Sequence, residues 1–409
     1  QPLSTFLDRA SAANNDLRAA RFDAVEKDAE AEAALGHLFP GLTVRGVYTR
    51  NEKAITIPGS ALGLPGNIVI TPANQLDAFF QLDVPIFDPA SYGRYRVARA
   101  VAAATKLGAT ATQLEVERQV VRTYYQVLGS FSLVEAAKAS ADVAARNLQL
   151  VKDRRAGGIA SDLDAARASA DVQRAAEDVA DAELALGLAT RALESLTMLT
   201  PTAADAPLPP DDGHEEAPLA TWLSGGVEAP AVRAAEANLR AAETARSATH
   251  YAFVPTIAGT AVEHLTNAPA FTGSNAFWTL SASATFHFDY SLVAGLKQAN
   301  AAVAAARARR DGAQRGADDA IVEAWLRVRA NIAKSRAARA QAEAAHQAAQ
   351  IASDRYVGGI ATQLDVIAAQ RDAFQADVGR VGADADLAAS RVLLRLAANR
   401  LPRPHRSTP

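Results

Sequence analysis

The side chains able to ionise or coordinate are plentiful in this chain but scattered. Its seven His, at His37, His214, His250, His264, His287, His346 and His405, sit in unrelated contexts and share no spacing that would bring imidazoles to one metal. There is no Cys, which excludes disulfides, thiolate nucleophiles and Cys-ligated zinc in this chain. No phosphate-cradling loop, nucleophile elbow or dinucleotide fingerprint occurs. Neither a metal, a cofactor nor an enzyme activity is expected. Asp211, Asp212, Glu215 and Glu216 beside His214 read as a solvated acidic linker. The carboxylates that stand out do so by their setting: Asp162 and Asp164 follow Gly157-Gly158, and Asp365 follows Gly358-Gly359. An acidic residue about one turn past a Gly-Gly pair stabilises the N-terminus of the next helix through its dipole.

Those settings belong to a repeat. Arg154-Arg155-Ala156-Gly157-Gly158-Ile159-Ala160-Ser161-Asp162-Leu163-Asp164 returns as Arg355-Tyr356-Val357-Gly358-Gly359-Ile360-Ala361-Thr362-Gln363-Leu364-Asp365, a spacing of 201. The same spacing relates Phe87-Asp88 to Phe288-Asp289, and Val120-Val121 and Tyr124 to Ile321-Val322 and Trp325. Upstream, Leu17-Arg18-Ala19-Ala20 and Val232-Arg233-Ala234-Ala235 match at 215, as do Pro40 and Pro255. The first copy therefore carries 14 extra residues between Pro40 and Phe87. The organisation expected is a first repeat at 1–200, a Pro-rich linker or belt at 201–218, a second repeat at 219–399, and a basic, Pro-rich tail at 400–409.

Each copy reads in one order. A polar amphipathic helix (Leu3–Leu38, then Leu219–Tyr251) is stopped by Pro. Two strands follow, at Leu42–Arg50 and Gln75–Ile86 in the first copy, and at Thr256–His264 and Trp278–Phe288 in the second. Leu76, Ala78, Phe80, Leu82, Val84 and Ile86 alternate with Gln75, Asp77, Gln81 and Asp83. Trp278, Leu280, Ala282, Ala284, Phe286 and Phe288 alternate with Thr279, Ser281, Ser283, Thr285 and His287. Strands of about 10 residues with one apolar and one polar face suit a barrel with lipid outside and water inside. Tyr92, Phe80 and Trp278 are candidates for an interfacial aromatic belt. One conflict remains: a spacing of 201 sets Leu82, Val84 and Ile86 against Ser283, Thr285 and His287, on the opposite face. A bulge would absorb the slip. After the strands run long Ala-, Arg- and Asp-rich helices, broken only at the Gly pairs. At about 1.5 Å per residue, Tyr92 to Ala156 would reach roughly 100 Å. Polar residues spread around them, and no sustained seam of large apolar residues appears, so more than one face of each helix meets water.

This duplicated order of helix, two strands and Gly-tipped helical hairpin resembles the TolC-like outer membrane efflux family over nearly the whole chain. Val84-Pro85-Ile86-Phe87-Asp88 and the two tips ending in Leu-Asp carry the likeness. The resemblance implies an α+β membrane protein: a homotrimer with a 12-stranded outer-membrane β-barrel, four strands per protomer, continued by a long periplasmic α-helical barrel. It also implies a periplasmic gate. Asp365 matches an inward-facing gate carboxylate and Tyr356 a restraining Tyr, while Ala361 and Ala368 replace a restraining Arg and a second gate Asp. Asp162 and Asp164 of the first tip are candidates to complete the ring, where like carboxylates would repel one another and attract cations. Gly157, Gly158, Ile159, Gly358, Gly359 and Ile360 match the tips that dock a periplasmic adaptor, with bare backbone permitting close approach.

The partners implied are that adaptor, an inner-membrane ABC or RND pump, and outer-membrane lipid. A net charge of -3 offers no field for nucleic acid. No run reaches the roughly 18 apolar residues of a membrane helix, and Gln1-Pro2-Leu3 has no signal-peptide character, so an exported chain would already have lost its signal. The absence of an N-terminal Cys for lipidation tilts the cargo toward a protein of the RTX-toxin kind passed by type I secretion. Drug or metal efflux through a tripartite pump is the alternative. A soluble periplasmic scaffold or adaptor is a third reading, disfavoured because the hairpin occurs twice and the two-faced strands have no role in a coiled coil.

Overall fold

The computed structural model describes residues 1–63, 66–202, 208, 210–223, 226–269 and 273–400. The tail expected beyond residue 400, and positions 203–207 and 209 of the expected linker, lie outside the described residues. In chain order the elements are α1 (Leu3–Ala13), α2 (Asn15–Gly36), β1 (Gly41–Arg50), β2 (Ile55–Pro58), β3 (Asn67–Thr71), β4 (Asn74–Phe87), α3 (Pro89–Ala156), α4 (Asp162–Thr197), α5 (Leu219–Leu223), α6 (Pro230–Thr249), β5 (Thr256–Thr266), β6 (Ala276–Thr285), α7 (Tyr290–Val357) and α8 (Gln363–Ala397). The repeat survives at the level of elements: α3 and α7 each have 68 residues, with bounds 201 apart, and α4 and α8 have 36 and 35. Among the described residues no helix is long and apolar enough to cross a membrane.

Two compact units form. One takes Gln1–Phe22, Leu107–Ala234 and the chain from Asp311 onward; the other takes Asp23–Lys106 and Ala235–Arg310. The first is helical, and its core is built twice. Phe6 and Ala10 of α1 pack with Val120, Tyr124 and Val127 of α3 and Leu193 of α4. Trp222 of α5 packs with Ile321 and Val328 of α7 and Leu394 of α8. Val120, Val127 and Leu193 are related to Ile321, Val328 and Leu394 by the spacing of 201. Between these clusters and the tips the seam is made of small residues. Ala168, Ala175, Ala182 and Ala189 are buried at seven-residue intervals along α4, and Ala137, Ala144 and Val151 along α3. A strict seven-residue period keeps the seam against its neighbour only if the helices supercoil left-handedly. Ala at those positions lets the backbones come close. At Gly129 of α3, an added Cβ would lie 3.1 Å from Ala385 Cβ of α8.

Two helices expected to be continuous are broken. The span Leu3–Leu38 divides at Asn14, whose backbone turns extended (φ -62°, ψ 130°). Its Oδ1 accepts the N–H groups of Asp16 (3.0 Å) and Leu17 (3.1 Å), capping α2, and its Nδ2 donates to Leu196 O (3.3 Å). Local bonding of this kind is why Asn favours helix starts over interiors. The span Leu219–Tyr251 divides into α5 and α6, with Pro230 at the first position of α6, where its missing N–H leaves nothing unmade.

The second unit holds an antiparallel sheet in the order β1-β4-β5-β6. Leu42, Val44 and Tyr48 share one face with Leu76, Phe80, Leu82, Ile257, Leu265, Trp278 and Leu280, and all are exposed. The other face carries Thr43, Gln75, Asp77, Gln81, Asp83, Thr260, Thr279 and Ser281. The register resolves the slip seen in sequence. Pro85 pairs with Ala258 and Phe87 with Ile257, so Ile86 is an extra residue and Phe87 returns to the face of Leu82 and Val84. The strand expected to run to Phe288 stops at Thr285. Beyond it, Asp289 receives the N–H of Ser291 (2.7 Å) and lies 2.9 Å from His287 Nε2, which opens α7. Asp88 caps α3 likewise, through the N–H of Ser91 (2.9 Å), with Pro89 at the first helical position. The extra residues of the first copy form a second hairpin, β2 with β3, between β1 and β4.

The acidic linker is not solvated throughout. Asp211 and Glu216 keep only 12% and 8% of their side-chain surface, because both close on Arg391 of α8, itself 7% exposed. Arg391 donates to both Asp211 oxygens (2.6 and 3.0 Å), to Glu216 Oε1 (2.6 Å) and to His214 O (2.8 Å). Asp211, Asp212 and His214 bring ligand atoms within 4.8 Å of one another, but the guanidinium already supplies the counter-charge. Burial opposes ionisation of Asp211; the bonds from Arg391 and from the Gly213 N–H outweigh it and hold the carboxyl below its usual range. Removing one member of a buried ion pair leaves the others uncompensated, so Arg391→Ala is expected to destabilise this unit by about 3–5 kcal/mol. Thermal unfolding in detergent measures it, with limited proteolysis cutting first in 210–218.

Candidate functional site: the paired helical tips

Each long hairpin turns through the same backbone. At the first tip, Gly157 N–H bonds Asp153 O (3.1 Å), Gly158 N–H bonds Arg155 O (2.9 Å) and Ile159 N–H bonds Arg154 O (2.9 Å). At the second, Gly358, Gly359 and Ile360 bond Asp354, Tyr356 and Arg355 at 3.0, 3.0 and 2.9 Å. Gly158 (φ 74°) and Gly359 (φ 79°) take the left-handed conformation that ends a helix and that a Cβ would strain. Ile159 and Ile360 stand 71% and 82% exposed, apolar side chains held out from the turns.

The next helix opens on a reciprocal cap. Ser161 Oγ accepts the N–H of Asp164 (3.1 Å), and Asp164 Oδ2 accepts the Ser161 N–H (3.1 Å) and hydroxyl (2.7 Å). Thr362 and Asp365 repeat it at 3.3, 2.8 and 2.7 Å. In this conformation two of the three carboxylates expected at a gate, Asp164 and Asp365, therefore hold helix ends. The Thr362 hydroxyl and then its N–H draw the exposed Asp365 carboxyl below its ordinary range, and Ser161 does the same for Asp164. Asp162 is set apart, pairing with Arg155 Nε at 2.7 Å in the open.

Tyr356 points the other way, into the protein. Only 6% exposed, it packs with Val151 and Ala168 of the first hairpin and Val366 of the second. The Arg154 guanidinium lies 4.8 Å from its ring centroid and donates to Val357 O (3.0 Å). Arg154 thus fastens the second tip to the first. The repeat contains the signal, since Arg155 of the first tip corresponds to Tyr356 of the second, but spacing alone does not tell which side chain turns inward. Burial raises the Tyr356 hydroxyl's pKa; Arg154 opposes this and Asp164 adds to it. Among the described residues, the Tyr356 hydroxyl and both amide atoms of Gln363, which is 1% exposed, have no hydrogen-bond partner. A groove of about 400 Å³ runs between α3, α7 and α8 beside the tips, past Asn147, Leu150, His346, Gln370 and Phe374.

A cap whose carboxylate has a lowered pKa contributes fully above the ordinary carboxylate range. It is lost as pH falls through the lowered value. Amide exchange at Thr362 and the first turn of α8 is therefore expected to be slow near neutrality and to speed, beyond its intrinsic pH dependence, only in strong acid. In Asp365→Ala it is expected to be fast throughout.

Comparison with known proteins identifies this frame. The family model described as outer membrane efflux protein matches residues 6–197 and 227–400. No curated protein matches the chain in sequence. Among solved structures, the CmeC outer membrane channel of Campylobacter jejuni aligns at TM-score 0.80 with 18% identity, over 98% of this chain and 87% of that one. The outer membrane protein VceC of Vibrio cholerae aligns at 0.76 with 18% identity, over 97% and 95%. The open state of the MtrE outer membrane channel of Neisseria gonorrhoeae aligns at 0.77 with 19% identity, over 98% and 90%. The tips, the duplicated hairpins and the four-stranded sheet are thus those of a TolC-like α+β channel fold, and the chain belongs to the outer membrane efflux protein family, whose members are channels and not enzymes.

Proposed function

We propose that three copies of this chain close into one exit duct, their four-stranded sheets joining as a 12-stranded barrel in the outer membrane and their helices as a periplasmic tunnel. The observation that carries this is the two-faced sheet: its large apolar residues are exposed on one side, its polar residues gather on the other, and β1 and β6 each have an unpaired edge. An open edge has no place in hydrocarbon, and closure with the polar face inward satisfies backbone and side chains together. The tips serve as the periplasmic gate, with Asp365, Asp164 and Asp162 around the axis and Tyr356 as restraint. The unpartnered Tyr356 hydroxyl and Gln363 amide support this reading, because buried polar groups left unpaired in one state find partners in another. Gly157, Gly158, Ile159, Gly358, Gly359, Ile360 and the neighbouring groove receive the hairpin of a periplasmic adaptor, which links the duct to an inner-membrane ABC or RND pump.

For cargo, the first reading is a protein passed by a type I machine. Small molecules, drugs or metal ions of a tripartite pump are the second reading, favoured by the bulky row that Arg45, Phe79, His264 and Phe277 form across the polar face of the sheet. Conductance across a planar bilayer tests the duct. Small cation-selective steps are expected, and larger, less selective steps for Asp365→Ala; steps unchanged by that substitution would move the gate to Asp162 and Asp164. A strain lacking the protein separates the cargoes: loss of one protein from the medium marks secretion, and sensitivity to drugs or metals marks efflux.

A further inference from the structure

The duplication makes one contact inside the chain a template for another. Where the two helical hairpins meet, α8 of the second lies against α3 of the first. Val121 packs with Leu393 and Leu396 there, and a Cβ at Gly129 would lie 3.1 Å from that of Ala385. The stripe of α8 that makes this joint, with Val381, Ala385, Ala388 and Leu396, is buried. The repeat gives α7 and α4 the corresponding two faces. A spacing of 201 carries Val121, Tyr125 and Gly129 of α3 to Val322, Leu326 and Ala330 of α7, and carries Ala385 and Ala389 of α8 back to Leu184 and Leu188 of α4. Both faces are open to solvent. Leu184 and Leu188 are 61% and 64% exposed, one turn apart on α4, and Leu326 is 51% exposed on α7 beside an exposed Ala330. Large apolar side chains thus stand in the open at the places where their repeat-related counterparts are small and covered.

Carrying the register of Gly129 against Ala385 across by the same spacing sets Ala330 against Leu184 and Leu326 against Leu188. It also sets Glu323 opposite Arg191. Each of these now closes on its own helix, Glu323 on Arg327 (2.6 Å) and Arg191 on Glu194 (2.9 Å), and each has the sign the other needs. We propose that the α4 face of Leu184 and Leu188 docks on the α7 face of Leu326 and Ala330 of a second copy of this chain, in that register. The inference rests on the duct reading above and names the seam along which its helical part closes. The partner is another copy because the complementary face, in apolar pattern and in charge, is carried by the chain itself. One kind of face meets a different kind, so the contact is heterologous and its repetition can close a ring, which a self-complementary patch cannot. The two joints then differ in make. Gly129 and Ala385 let backbones close up within a chain, whereas Leu184 and Leu188 fill the space between chains.

Because the chain has no Cys, disulfide trapping reads the seam directly. Leu184→Cys and Ala330→Cys in one chain, oxidised in detergent, should give covalent dimers and trimers on a non-reducing denaturing gel. Each single variant should run as a monomer, and the two expressed together should stop at dimers, which shows that the bridge joins different copies. Leu188→Cys with Leu326→Cys tests the same register independently, so that one pair disturbing assembly does not decide the matter. Arg191→Glu is expected to slow trapping by up to about fivefold, the range one exposed ion pair supplies, and Glu323→Arg in the same chain to restore it. Both Cys pairs remaining monomeric in protein that still conducts across a planar bilayer would overturn the seam and leave the duct intact. Rapid maleimide labelling of Leu184→Cys in the conducting protein would do the same, and would mark that face as open to some other partner. Absence of both conductance steps and covalent oligomers would overturn the duct reading and the seam with it.

Discussion

A peptide N–H or C=O in hydrocarbon has no water to bond, and that constraint governs the rest of this chain. It permits a sheet in the outer membrane only if every strand is paired, and the sheet β1-β4-β5-β6 has, among the described residues, two free edges. Most of the architecture follows from that. The sheet needs one face for lipid and one for water, hence the alternation along β1, β4, β5 and β6. Where the strands give way to helix, the bulge at Ile86 and the carboxylate caps of Asp88 and Asp289 turn the chain out of the ladder without leaving its first N–H groups unmade.

In the helical unit a different economy of contacts applies. The long helices have no wide apolar stripe, and their packing rests on seams of Ala at seven-residue intervals and a few large residues gathered in clusters around Phe6 and Trp222. Small seams bury little area per turn but allow close backbones, and dispersion then acts along the full length of the helices. The polar surplus goes into bonds that fix the fold at chosen points, as at Arg391 and Arg154.

The repeat of 201 was legible because both copies must build the same hairpin, and identical lengths are the one thing a gap-free spacing records. It located the strands, the long helices and both tips. What stayed hidden were features decided by a single side chain choosing between two partners. Asn14 looks like any polar residue of an amphipathic helix until its amide is seen capping α2. Asp211 and Glu216 look solvated because Arg391, which buries them, lies far along the chain. Phe79 and Phe277 are ordinary strand residues in sequence, and only the register aligns them with Arg45 and His264. Asp164 and Asp365 were read both as dipole partners and as gate groups; the caps account for the first role in the conformation seen, and the second is part of the proposed gate.

The equal lengths of α3 and α7 also limit how such a chain can evolve. One residue inserted into either helix would advance its tip by about 1.5 Å and turn everything beyond it by about 100°. The Ala seam would swing away from its neighbour, and one Gly pair would no longer stand level with the other. Single insertions in the hairpins are therefore tolerated only if matched in both copies, or if they come in multiples that restore the seam. The segment between β1 and β4 carries no such obligation. It already holds a hairpin that the second copy lacks, and length added there would leave the Ala seam and both tips in register.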